Sequence, residues 1–164
     1  MLTLTADQLI FQIELPTRLM HRHVDDLSDE EAYVSPLGGN SANWILGHLL
    51  VSRDEVSQML GAERQFDEAL HARYGGGSQP VTAPAADVPP LSRLRQMWDE
   101  CEPHLKRYVR AATPETFTQE ITRANGSKTT LGGRIAFYLL FHEGFHIGQF
   151  EYARHAVGKH ESMI

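Results

Sequence analysis

The chain has a single cysteine, Cys101, among its 164 residues. It therefore holds no internal disulfide and no zinc site built from several thiolates. Cys101 falls in phase with apolar neighbours, which reads as a buried, inert thiol rather than a nucleophile. A basic cluster is also missing: 15 Lys and Arg face 21 Asp and Glu, for a formal charge of −6. Nucleic acids and anionic membranes demand a basic footprint, so the acidic balance argues against both as main partners. No apolar run approaches the roughly 18 residues of a membrane span. No basic residue precedes Arg18 and no signal-peptide pattern is visible, so a cytoplasmic location is the expectation. Internal repeats and convincing strand patterns are lacking too.

What remains is an ordinary globular composition. With 41% hydrophobic and 22% charged residues over this length, the chain can bury a core, and one domain over 1–164 is expected. Four helical patterns carry it. The first runs roughly from Ala6 to Asp26, with Leu9, Ile13, Met20 and Val24 near helical period and Pro16 expected to kink it or break a backbone bond. Leu27-Ser28-Asp29-Glu30-Glu31 then offers a cap for a short extra turn. The second helix begins near Asn40 or Ser41 and stops near Leu60 and Gly61. After a short helical piece around Phe66 to Arg73, the Gly- and Pro-rich stretch from Tyr74 to Pro90 reads as a long loop. At about 3.3 Å per residue such a loop can cross a whole bundle.

The third helix, about Leu91 to Ala111, has the cleanest stripe: Leu91, Leu94, Trp98, Cys101, Leu105 and Tyr108. Phe117 to Thr122 is read as extended or a loose strap, followed by a turn at Asn125-Gly126. The fourth helix starts near Thr129 or Thr130 and ends at about Val157, before Gly158. It carries Gly132, Gly133, Gly144 and Gly148 in its interior, where each costs about 1 kcal/mol against alanine. Close approach by another helix or a ligand is the economical explanation.

Within that helix lies His142-Glu143-Gly144-Phe145-His146. Residues four apart on a helix point the same way, within about 40°, so His142 and His146 form a natural two-nitrogen clamp. They interrupt a face otherwise given to Leu, Ile, Phe and Tyr, and burying two imidazoles there is costly unless each finds a partner. A metal partners both at once. His48, central in the apolar second helix beside Trp44, is the third candidate. The other six histidines sit at polar positions or in tails and read as structural or surface residues.

The string also matches the His-Glu-x-x-His of zinc proteases. The extended form of that motif needs glycine and histidine further on, where this chain has Gln149 and Tyr152. Only Glu151 and Glu161 remain downstream as carboxylate ligands, and no strand offers an edge for a peptide. A protease is therefore set aside. Glu143 reads either as an inter-helix charge or as a second contact to the site, orienting an imidazole or acting as a base. Gln149 is placed to hold water or substrate, and Ser52 and Glu55 continue the His48 stripe as supporting candidates.

Together, Asn43-Trp44-Ile45-Leu46-Gly47-His48-Leu49, His142-Glu143-x-x-His146-x-Gly148-Gln149 and Leu27-Ser28-Asp29-Glu30-Glu31 resemble the DinB-like superfamily of metalloenzymes, over nearly the whole chain. The resemblance implies an all-α four-helix bundle with a long crossing connection between helices two and three, in up-down-down-up order. It implies one divalent metal, nickel or zinc, on His48, His142 and His146. Homodimers are common in the family, as are small-molecule substrates. Its characterised members include thiol-dependent S-transferases and a mycothiol-dependent maleylpyruvate isomerase, and others are hydrolases. The expected function is a metal-dependent enzyme that activates a thiol or water nucleophile, with a low-molecular-weight thiol as external cosubstrate in the first case. Glu143 and Gln149 are its candidate catalytic residues. The alternatives are a non-catalytic, stress-related bundle that binds a metal or small molecule, and a structural bundle whose histidines never meet.

Overall fold

The computed structural model describes residues 5–161. Its helices are α1 (Ala6–Val24), α2 (Ala42–Met59), α3 (Glu68–Tyr74), α4 (Leu91–Ala111), α5 (Pro114–Thr118), α6 (Leu131–Ala136) and α7 (Glu143–Ala156). A π-helical segment, Phe137–His142, joins α6 to α7, so the fourth long helix runs through 131–156 without a break. The four long helices make the bundle expected from the sequence.

Local chemistry sets the helix starts. Thr5 and Gln8 form a capping box on α1, and Ser41 and Asp67 cap α2 and α3 through their side-chain oxygens. Ser28 and Glu31 exchange hydrogen bonds at the short turn predicted after α1. Helix α1 passes through Pro16 and continues to Val24. In the turn before the proline, the Ile13 carbonyl accepts from the Thr17 hydroxyl and from Arg53.

Helix directions follow from a few polar contacts. Ser41 and Asn43, at the start of α2, donate to the carbonyls of Val81 and Pro89, at the end of the long loop. The loop therefore returns to the end where α2 began, and α4 runs parallel to α2. Lys106 meets Glu14 while Arg95 meets Asp25, which makes α4 antiparallel to α1. Arg154 bonds the His23 carbonyl and Asp26, so the last helix ends beside the end of α1. The order is up-down-down-up with a crossing connection between the second and third long helices.

Two elements differ from the sequence expectation. The strap is half of a hairpin: β1 (Glu120–Thr122) pairs antiparallel with β2 (Lys128–Thr130) across the Asn125-Gly126 turn. It leads directly into α6, whose cap is Thr130. The fourth helix also widens into the π segment, which no breaker residue announces. Of its glycines, Gly132 meets the expectation of close approach, since a Cβ there would lie 2.8 Å from the Phe117 carbonyl oxygen. Gly144 and Gly148 face open space instead. Among the described residues no helix is long and apolar enough to cross a membrane.

Candidate metal centre

Helix α2 is buried along most of its length, because α4 and α7 flank it and the loop crosses over it. His48 lies on its inner side. Just before it, Gly47 lets the Tyr74 ring lie flat on the helix; a Cβ there would sit 2.3 Å from that ring. This close approach puts the Tyr74 carbonyl 2.7 Å from His48 Nδ1. The carbonyl can only accept, so Nδ1 carries the proton and Nε2 is left with its lone pair. Trp44, one turn earlier, stacks on the His48 ring at 4.6 Å between centroids, and its indole N–H donates to Ser78 of the loop.

His142 and His146 arrive from the fourth helix, one at the end of the π segment and the other on α7. His142 Nε2 lies 3.0 Å from His48 Nε2. His146 Nδ1 donates to Gln149 Oε1 at 2.8 Å, which again leaves Nε2 unprotonated. One nitrogen from each of the three rings lies within 4.8 Å of the others. Burial, with a smaller contribution from the neighbouring histidines, pushes the His142 and His146 pKa values down to about 4. Burial lowers His48 as well. All three rings are thus neutral at pH 7, the form that binds metals.

His48 Nε2, its proton committed at Nδ1, turns a lone pair toward His142 Nε2, which donates to it as one tautomer and as the other adds a second lone pair for a cation between them. His142 Nδ1 is buried without a hydrogen-bond partner among the described residues. The donor set, three neutral imidazoles and no thiolate, fits zinc or nickel and leaves coordination positions for other ligands.

The remaining sequence candidates take separate places. Both Glu143 oxygens are held by Arg53, at 2.8 and 3.0 Å, and the side chain is 1% exposed. Burial pushes this carboxyl up, and the guanidinium opposes the shift. Of the two readings weighed for Glu143, the inter-helix charge is the one the geometry matches. Gln149 touches the centre through His146 and also lines a cleft of about 380 Å³ with Pro36, Asn40, Phe145 and Tyr152. Ser52 turns back to the His48 carbonyl, and Glu55 accepts from the Tyr138 hydroxyl. Cys101 is buried in the core, and burial pushes its thiol up to about 12.

Sequence reasoning missed Arg53, a charge inside an apolar helix that could have been noticed for that reason. It also placed His23 and His71 among polar or surface positions. His23 is fully buried, with Nδ1 donating to the Leu19 carbonyl and Nε2 facing Glu151 at 2.9 Å. His71 is bonded to the buried Asp54.

Comparison with known proteins agrees with this fold. Among solved structures, YfiT from Bacillus subtilis superposes with a TM-score of 0.68 at 16% identity, over 93% of this chain and 87% of its own. It is described as a probable metal-dependent hydrolase with an unusual four-helix bundle topology. A mutant of the mycothiol-dependent maleylpyruvate isomerase superposes with a TM-score of 0.60 at 14% identity, covering 99% of this chain but 65% of that one. Both likenesses concern the fold. No curated protein matches the chain. The model of the DinB superfamily matches residues 12–150, a span that takes in all three histidines and at least part of every long helix, and the chain belongs to that superfamily.

Proposed function

We propose that the chain is an enzyme in which His48, His142 and His146 hold one divalent metal, nickel or zinc, for attack of a thiol or water nucleophile on a small-molecule substrate. The observation that carries this is the convergence of three neutral imidazoles, two of them with Nδ1 already donated, within 4.8 Å. A bound metal supplies a Lewis acid that lowers the pKa of a thiol or water at neutral pH.

The chain's own residues do the rest. The Tyr74 carbonyl and the Gln149 amide fix the tautomer and tilt of His48 and His146, which raises ligand basicity and removes rotational freedom. Trp44 covers one face of His48 and keeps water from that side. The cleft beside Gln149, walled by Phe145 and Tyr152, offers an apolar seat for a substrate next to His146. Glu143 holds the fourth helix to α2 through Arg53 and so sets the position of His142, its neighbour in sequence, and of His146, three residues on. Cys101 is too buried to act, so the thiol of a transfer reaction comes from an external low-molecular-weight cosubstrate.

Dimerisation is part of the proposal. Phe137, Leu140 and Phe141 form an exposed apolar row on the outside of the fourth helix, at 39%, 41% and 63% exposure. A row of this kind favours a second copy.

The test is metal analysis of protein purified without a histidine tag, followed by thiol and electrophile panels. About one equivalent of metal per chain, lost in His142→Ala, is expected, with thiol consumption only in the metal-loaded form. If no metal is retained and added nickel or zinc leaves Tm unchanged, the centre does not exist. Metal without turnover across the panels would favour a binding protein.

A further inference from the structure

Five arginines among the described residues are buried or half-buried: Arg53, Arg73, Arg95, Arg134 and Arg154. Four of them reach a carboxylate, namely Glu143, Asp87, Asp25 and Asp26 in turn. Arg134 does not. Its one hydrogen bond goes from Nη2 to the Tyr138 hydroxyl at 2.9 Å, and its guanidinium carbon stands 4.6 Å from the Tyr138 ring and 5.6 Å from the Phe137 ring. A guanidinium has five N–H donors, so most of this one's capacity is unspent. Glu55 reaches it only through the Tyr138 hydroxyl, so among the described residues the fork has no carboxylate in direct contact, and its partly desolvated donors suit a ligand that supplies one.

Its position gives that ligand a destination. Arg134, Tyr138 and His142 follow at steps of four on one helix face. The Tyr138 ring meets the His142 ring edge-on at 5.6 Å. The cation is close enough to His142 to help depress its pKa. Tyr138 in turn donates to Glu55 at 2.9 Å, which fixes the phenol and leaves its oxygen to accept from Arg134. The arginine is thereby held against Tyr138, whose ring adjoins His142.

We propose that Arg134, steadied by Tyr138 and Glu55, is the seat for a carboxylate carried by the molecule whose nucleophilic or electrophilic end enters the three-histidine centre. One guanidinium matches one negative charge, and its planar fork fits a carboxylate. A phosphate dianion would face Glu55 with no second cation beside it. Along the fourth helix the cationic seat precedes His142, and Gln149 and Tyr152 of the apolar cleft follow His146, which suits two co-reactants of different character. This inference rests on the proposed metal centre.

Cobalt-loaded protein tests it, because a thiolate on cobalt gives a charge-transfer absorption that reads binding without turnover. Mercaptoacetate, 3-mercaptopropionate and 4-mercaptobutyrate are titrated against neutral 2-mercaptoethanol. At least one carboxylated thiol is expected to bind about tenfold or more tighter than the neutral one. Arg134→Gln should abolish that preference and leave 2-mercaptoethanol unchanged, and Arg134→Lys should keep part of it. Equal binding in the wild type, or a preference intact in Arg134→Gln, overturns the seat while leaving the metal centre standing. If no thiol binds cobalt, the thiol branch of the proposed function fails. Thermal shifts by propionate on wild type and Arg134→Gln then judge the seat alone, and equal shifts overturn it.

Discussion

Arg53 and Glu143 face each other across the bundle with both side chains out of solvent and both carboxylate oxygens engaged. Arg53 also donates to Thr17 and to the Ile13 carbonyl and lies 3.7 Å over the Trp98 ring. One guanidinium thus touches all four long helices. Removing one member of a buried pair strands the other, at a cost of about 3–5 kcal/mol, whereas replacing both by apolar groups can be neutral. We expect Glu143→Leu to lose stability on that scale in urea unfolding and Arg53→Met/Glu143→Leu to recover much of it. Metal retention by the folded double variant would show that Glu143 is not needed to bind the ion.

A second prediction concerns Gly47. The Tyr74 ring occupies the space of its missing side chain, and the Tyr74 carbonyl orients His48. Gly47→Ala should push Tyr74 away and weaken metal binding about 10- to 100-fold, as loss of an orienting contact does. Gly144→Ala is the control: open space surrounds it, and alanine favours the helix by up to about 1 kcal/mol. Competition with a chromogenic chelator compares the two, and equal affinities would refute the role given to Tyr74.

Acid should destabilise the metal-free protein in a defined window. The ordinary histidine pKa is 6.5, and His142 and His146 are held at about 4 in the fold. Between those values the unfolded chain binds protons that the folded chain refuses. Stability is therefore full above 6.5 and is lost as pH falls toward 4. Asp26, which Arg154 holds below its ordinary 3.8, adds a further loss only at lower pH. Urea midpoints measured from pH 7.5 to 4.5 should fall in wild type, and less steeply in His142→Leu/His146→Leu.

The exposed apolar row gives a fourth prediction. Phe141→Glu should convert a dimer into a monomer in sedimentation velocity, with the helical spectrum and metal content retained. A monomeric wild type at working concentrations would end the dimer proposal.

Much of this was legible because single helices announce themselves. The α4 stripe from Leu91 to Leu105 is buried as its period requires, and the i, i+4 histidines need only helix geometry to share a face. Joining them to His48 took the family resemblance, since the relative rotation of two helices is written in neither. The same ignorance hid the Arg53–Glu143 pair. Arg134 escaped because a lone cation on a helix ordinarily reads as solvated, and only the lack of a carboxylate in direct contact with it, among the described residues, makes it unusual. The π segment was invisible because Phe137-Tyr138-Leu139-Leu140-Phe141-His142 holds no proline or glycine.

That segment carries a consequence for how the centre tolerates change. A π turn holds one residue more than the α-helix around it can accommodate, and such turns cluster at functional sites. Deleting Leu140 would let the stretch tighten into ordinary α-helix at little local cost. Each residue of a helix turns by about 100°, however, so everything beyond the deletion would be rephased against everything before it. Either the clamp would swing off His48 and Glu143 off Arg53, or Arg134 and Tyr138 would swing off the clamp. The extra residue acts as a phase adjuster, setting the rotation of Arg134 and Tyr138 against that of the histidine pair so that both halves of the helix meet at the same place.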